Sequence, residues 1–288
     1  MNPTTTSPRN GITLITGGTG KIGGRVAAKL AALGVPHRAV SRSSGPAFDW
    51  HEPAGWDEAL KDVSTVYISI APELAFPGTQ PIIRAFVERA VAAGVTHLVL
   101  LSGRGEEEAQ ACEEIVRNAG VDWTIVRSGW FMQNFSEGEF ADMVRQGAIT
   151  LPARDIPEPF IDVNDIADVV VAALSEPGHA GELYEVTGPR LLTFTDVAAE
   201  IAVATGRDIA FVPVPKDAFA EAITASGAPG EVAWLLNYLF ETVLDGRNAY
   251  LADGVQRALG REPADFRDFV ARIAERDTWD AAGEEAAA

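Results

Sequence analysis

The feature that most constrains this chain is the run ITLITGGTGKIGGRVAAKL at residues 12–30. A short apolar, β-branched stretch, Gly11–Thr16, leads straight into a glycine loop. A helical apolar stripe follows (Ile22, Val26, Ala27, Leu30, Leu33) and Gly34 stops it. Gly17, Gly20 and Gly23 give the spacing G-x-x-G-x-x-G between a strand and a helix, the context a dinucleotide site requires. Gly17 permits the tight turn. Gly20 lets the main chain approach a pyrophosphate with no Cβ in the way, and Gly23 lets the helix pack close to the strand. The free N–H groups and the positive helix end then hold the anion. Thr19, Lys21 and Ile22 complete the expected cofactor loop. The opposing reading, an ordinary glycine-rich turn, has to ignore the strand before it and the helix after it.

The first half continues this alternation. Strands are expected at Pro36–Val40, Thr65–Ile70, His97–Leu101 and Asp122–Val126, with helices at Ala54–Lys61, Pro81–Ala93 and Glu106–Asn118. Glu106, Glu107 and Glu108 fall in the first turn of the last helix, where the helix dipole favours acids. Strand–helix–strand units with short glycine stops imply an α/β fold: a doubly wound parallel sheet covered on both faces. Ligands in such sheets sit beyond the carboxyl ends of the strands, so the loops at 17–23, 41–50, 70–78, 102–105 and 127–135 are expected to face one crevice. Residues 1–150 are read as the dinucleotide-binding domain. Residues 151–288 are read as a smaller, mostly helical substrate lobe, with helices at 163–174, 194–205, 218–225, 232–244 and 266–275. In it, the strand candidate at 183–187 returns to the main sheet, and a second strand is expected at Ala210–Val214.

The strand ends supply the remaining candidates. The second strand runs into Ser41-Arg42-Ser43. An acid there would bind both hydroxyls of an adenine ribose and favour NAD; an arginine pairs with a 2′-phosphate and stacks on adenine. NADPH is therefore expected over NADH, the competing reading being a solvated arginine that only stacks. Asp49-Trp50 is read as a third strand end, where Asp49 either accepts from the adenine amino group or caps a turn. Ile70, Ala71 and Pro72 follow the next strand, and Ser102 with Gly103 the one after. Small residues there leave room for ribose and nicotinamide. Ser102 is the one catalytic candidate, against the alternative of a strand-end hydroxyl capping the next helix.

Composition excludes several classes. A net charge of -18 over 288 residues argues against nucleic acid or an anionic membrane as the main partner. The longest apolar runs are too short to cross a bilayer. The single cysteine, Cys112, cannot close an internal disulfide, and His37, His51, His97 and His179 have no metal-ligand spacing. No metal is expected, and a reducing cytoplasm is the simplest compartment. Residues 1–10 read as a polar lead-in and those after Trp279 as an acidic tail.

The glycine loop, Arg42, Ser102, the run VDWTIVRSGWFMQNF at 121–135, FIDVNDIA at 160–167 and YEVTG at 184–188 resemble the NmrA-like atypical short-chain dehydrogenases/reductases. Within that group the likeness is to quinone and triphenylmethane-dye reductases, and it covers residues 11 to about 215. The resemblance implies an NAD(P)H-binding Rossmann domain and a reductase. It places Ser128, Gly129, Trp130, Phe131 and Asn134 along the nicotinamide and substrate cleft, with Trp130, Phe131 and Asn134 as substrate contacts. Read from the residues alone, the aromatics either stack on a flat ring or plug an apolar core. Arg127 is read as a structural ion pair.

One departure matters. The Tyr-x-x-x-Lys acid/base pair of active short-chain dehydrogenases is missing: none of Lys21, Lys29, Lys61 and Lys216 has a tyrosine four residues before it. Glu113 and Glu114 stand on the helix where the pair is expected. Hydride addition to an isolated ketone makes an alkoxide that needs a proton donor. Addition to a quinone leaves a phenolate-like oxygen, and a phenol with a pKa near 10 needs far less help. The expected substrate is thus a quinone-like or polyketide-derived aromatic small molecule. A related expectation is anthraquinone reduction ahead of reaction with oxygen, with a partner enzyme completing a hydroxylation or a homo-oligomer as the working form. The alternative class is a non-catalytic regulator that senses NADP and binds a protein; a nucleotide-sugar epimerase ranks below both, because its chemistry generally needs the absent tyrosine.

Overall fold

The computed structural model describes residues 11–153, 155–276 and 278–279. The expected lead-in at 1–10 and the acidic tail after Trp279 lie outside them. Strand β1 (Ile12–Ile15) is followed by helix α1 (Lys21–Ala32), β2 (His37–Ala39), α2 (Trp56–Leu60), β3 (Val63–Ile68), α3 (Thr79–Ala92), β4 (His97–Gly103), α4 (Glu107–Arg117) and β5 (Asp122–Ser128). Then come α5 (Glu139–Arg145), β6 (Ala148–Leu151), α6 (Val163–Ser175), β7 (Glu182–Val186), α7 (Phe194–Thr205) and β8 (Ala210–Pro213). Helices α8 (Lys216–Ala225), α9 (Gly230–Tyr238), α10 (Gly254–Leu259) and α11 (Phe266–Ala274) complete the order.

Six strands form one sheet in the order β2-β1-β3-β4-β5-β7, every neighbouring pair parallel. The chain runs outward from β1 to β2, then returns to β3 on the other side of β1. That reversal makes the carboxyl ends of β1 and β3 the switch point where an open α/β sheet leaves a crevice. The fold is the Rossmann-like doubly wound sheet expected from the sequence, and β7 joins its edge beside β5.

The chain divides into two compact units, each discontinuous. One holds the chain up to Ser128 with Asn164–Val186 and Asp253–Arg261. The other holds Gly129–Val163, Thr187–Ala252 and the chain from Glu262 onward. The single break near 150 read from the sequence is thus replaced by several crossings. In the first unit, Ile22, Val26 and Leu30 bury one stripe of α1. Beside α2 and α3, Phe48, Trp50, Trp56 and Phe86 pack with ring centroids 4.9–6.4 Å apart, each contributing roughly 1.5–3 kcal/mol by burial. The second unit has its own aromatic core around Phe135, Phe160, Phe194 and Phe266. It also has a two-stranded parallel sheet of β6 and β8.

Three local expectations are corrected. The third strand spans Val63–Ile68 rather than Thr65–Ile70, because Ser69 already turns its amide to donate to the Thr16 hydroxyl just past β1. No strand ends at Asp49-Trp50: Ser41 and Ala47 make an isolated bridge, and Asp49 opens a turn. The helix expected at 232–244 is α9, giving way to a π-helical turn at Leu239–Val243. Helices α5 and α10 and strand β6 had no expectation, being short and weakly periodic.

Candidate functional site

The loop after β1 is held by main chain. Gly17 adopts φ +65°, a conformation that favours glycine. A Cβ on Gly23 would sit 2.2 Å from the Gly17 carbonyl oxygen, so no larger residue fits without moving the loop. The Gly18 amide donates to the Val40 carbonyl at 2.9 Å, and the Gly20 amide to Gly17 at 2.8 Å. Below the loop, the buried Thr16 hydroxyl donates to the Tyr67 carbonyl (3.0 Å), with that of Ser69 at 3.1 Å, and accepts from the Ser69 amide (2.8 Å). This joins the β1 loop to the β3 loop.

Helix α1 begins with no side-chain cap and no acid in its first turn. Helix α7 shows the contrast: Thr193 and Asp196 close a reciprocal capping box over its first amides. The bare start of α1, with exposed Thr19 and Gly20 and part-buried Lys21, therefore offers amides and a positive dipole end to an anion. The residues fit a dinucleotide's pyrophosphate: a Cβ on Gly20 or Gly23 would crowd the turn that shapes the cradle.

Past β2, the Ser41–Ser44 segment closes on itself. The Ser44 hydroxyl donates to carbonyl oxygens of Ser41 (2.9 Å) and Pro46 (2.7 Å) and accepts from the Ser41 amide (2.7 Å). Ser43 is 3.3 Å from Ser41 through both its amide and its hydroxyl. Arg42 is exposed and has no ion pair or hydrogen bond among the described residues. Asp49 is engaged locally: its carboxylate accepts from the His51 amide and its carbonyl from the Trp56 indole, both at 2.9 Å. Ile70, Ala71 and Pro72 follow β3, with Ala71 exposed.

The ends of β4, β5 and β7 are charged and buried. Ser102, 3% exposed, donates to Glu113 Oε1 at 2.6 Å. Arg127 grips the same carboxylate twice, Nε to Oε1 at 2.8 Å and Nη2 to Oε2 at 2.5 Å. Its third nitrogen lies 3.4 Å from Glu185, which also accepts from Arg104 at 3.0 Å. The ion pair expected of Arg127 is present, and its guanidinium is held further into the charged form chiefly by the Glu113 hydrogen bond. Ser102 is thus engaged in a structural network.

Gly103 lies against a different acid. A Cβ there would meet the Glu106 carboxyl at 2.3–2.5 Å. Glu106 is 4% exposed, and its Oε2 has no hydrogen-bond partner. Burial, then the charges of Glu73 and Glu108, push its pKa up to about 9. Glu73, on the loop after β3, is itself raised by burial, against a 2.6 Å bond from the Leu74 amide. The sequence suggests that Glu106 is one of three first-turn acids favoured by the helix dipole. Instead it is the residue before α4, in extended conformation. The signal that could have found it is an acid three residues beyond a strand-end glycine.

In the second unit, Trp130 is 7% exposed, packed against Phe194 (5.7 Å) and Phe240 (5.1 Å). Phe131 and Asn134 are half-buried at the short helical turn Met132–Phe135, where the Asn134 amide donates to the Phe131 carbonyl. No group of three or more His, Cys, Asp or Glu among the described residues could hold a metal ion. No helix among them is long and apolar enough to cross a membrane.

Against known families, the NmrA-like model matches residues 9–269. The chain belongs to the NmrA-like family. Among NmrA-like and related proteins, an agroclavine dehydrogenase from Claviceps fusiformis is 34% identical over 89% of this chain and 95% of its own length. An NAD(P)H azoreductase from Xenophilus azovorans is 30% identical over 89% and 96%. An NADPH-dependent quinone oxidoreductase from Escherichia coli, solved with NADPH, superposes with a TM-score of 0.77 at 22% identity, covering 91% of this chain and 99% of that one. At that identity it speaks for the fold alone.

Proposed function

We propose that this chain is an NAD(P)H-dependent oxidoreductase that prefers NADPH and reduces a quinone-like or polyketide-derived aromatic acceptor. One observation carries the reading: the uncapped, acid-free start of α1 behind a glycine cradle that a Cβ would fill. Membership of the NmrA-like family supports it, as do relatives named as a dehydrogenase and an azoreductase.

A bound NADPH would supply hydride. The chain's own part is to bind and orient. The amides of residues 17–23 receive the diphosphate. Exposed Arg42 receives the 2′-phosphate, flanked by Ser41 and Ser43. Exposed Ala71 leaves room at the end of β3, whereas the space beside Gly103 at the end of β4 is taken by the Glu106 carboxyl. Phe131 and Asn134 remain the candidates for contact with the acceptor, Trp130 being committed to an aromatic core.

The test is calorimetry with NADPH and NADH, followed by cofactor oxidation with a panel of naphthoquinones, anthraquinones and azo dyes. Binding and turnover are expected, and Gly23→Ala should weaken nucleotide affinity. No affinity for either nucleotide overturns the proposal. Tight binding with no turnover on any acceptor replaces the enzyme with a nucleotide-sensing regulator.

A further inference from the structure

We propose that Glu106, paired with Glu73, is the general acid of this protein, supplying the proton that the missing Tyr-x-x-x-Lys pair would otherwise provide. The inference rests on the reductase reading above and extends its substrate class.

Three features of the geometry support it. First, position: β3 and β4 are paired neighbours, so the loops carrying Glu73 and Glu106 leave the same end of the sheet beside the switch point. Second, the Glu106 carboxyl lies against Gly103, at the strand end where the sequence places the nicotinamide ribose. Third, it is enclosed and its Oε2 has no hydrogen-bond partner among the described residues. The groups facing it are Glu73 from the β3 loop and Glu108 from the first turn of α4, both acids. Like charges in a dry place cannot all ionise, so one carboxyl keeps its proton. Glu106 keeps it to about pH 9. Its Oε2, with no hydrogen-bond partner among the described residues, is the oxygen placed to donate that proton.

The step balances simply. Hydride forms a C–H bond at the acceptor carbon, and the π-electron pair moves onto the acceptor oxygen. The Glu106 O–H bond breaks and its proton goes to that oxygen, leaving a carboxylate that water reprotonates. General acids of this kind contribute about 10²–10⁴-fold. Acceptors need not then stabilise their own anion: conjugated enones and activated ketones join the quinones.

The experiment compares the wild-type chain with Glu106→Gln and Glu73→Gln. Infrared spectra of the unliganded protein read the acid directly. A protonated-carboxyl band is expected at neutral pH, lost with a midpoint near 9 and absent in Glu106→Gln. With NADPH and a conjugated enone, Glu106→Gln should lose about 100-fold or more in kcat and lose the alkaline limb of its pH profile. Calorimetric affinity for NADPH should persist. Glu73→Gln removes a like charge and should move that limb to lower pH. Absence of the band at neutral pH, or an unchanged rate and limb in Glu106→Gln, overturns the assignment. A wild type that shows the band but oxidises no NADPH with any acceptor overturns the reductase reading and the acid's role with it, whereas loss confined to the variant upholds both.

Discussion

The two halves of the sheet's carboxyl edge are built by opposite means. Beyond β1 and β2 the loops are tied by main-chain bonds and small hydroxyls, and the one arginine, Arg42, stands exposed. Beyond β4, β5 and β7, buried Arg104 and Glu113 and half-buried Arg127 and Glu185 neutralise one another, with Ser102 hydrogen-bonded to Glu113. On the proposed reading, the first half presents donors to a ligand. The second spends its donors internally, and among the described residues it leaves the Oε2 of Glu106 without a hydrogen-bond partner. Chemistry-bearing residue types therefore do opposite work a few strands apart, and pairing decides which.

The harshest way to break this contrast is Arg127→Ala. It strands the Glu113 carboxylate in a buried place and should cost about 3–5 kcal/mol, read by urea unfolding. Ser102→Ala removes one hydrogen bond to a charged group and should cost about 1.5–3 kcal/mol. A turnover loss of about 100-fold or more at unchanged stability would instead return Ser102 to the chemistry. On the other half, Arg42→Ala should leave stability unmoved and cut the preference for NADPH over NADH by roughly ten- to a hundredfold. An unchanged KM ratio ends that assignment. The last prediction sharpens the boundary between the halves. Folded Glu106 holds its proton to about pH 9, while the unfolded chain releases it in the ordinary carboxylate range. The folded state binds more protons across that window, so stability falls as pH rises through it, by at most about 1.4 kcal/mol per pH unit. Glu106→Gln should flatten the slope in unfolding measurements made across it.

What could be read from the sequence divides along the same line. Gly17, Gly20 and Gly23 are legible because a tight strand-to-helix turn leaves its mark as spacing. The parallel sheet was legible because its strand–helix alternation is local. Arg127 was legible as an ion pair, but not its partner, Glu113, which lies fourteen residues away on α4. Trp130 could be named as an aromatic of consequence, yet only packing shows it buried against Phe194 and Phe240. Glu106 reads as a first-turn acid like its neighbours because three consecutive glutamates look alike in sequence. The register at the end of β4 buries the first and exposes the other two.

The self-closed turn after β2 carries a practical consequence. Ser44 fastens Ser41 to Pro46 from within, whereas the floor of the glycine loop is riveted separately by Thr16. The stretch 41–46 is therefore an interchangeable cassette. Grafting in an acidic version should retune which redox currency the protein draws upon while the foundation beneath stays untouched.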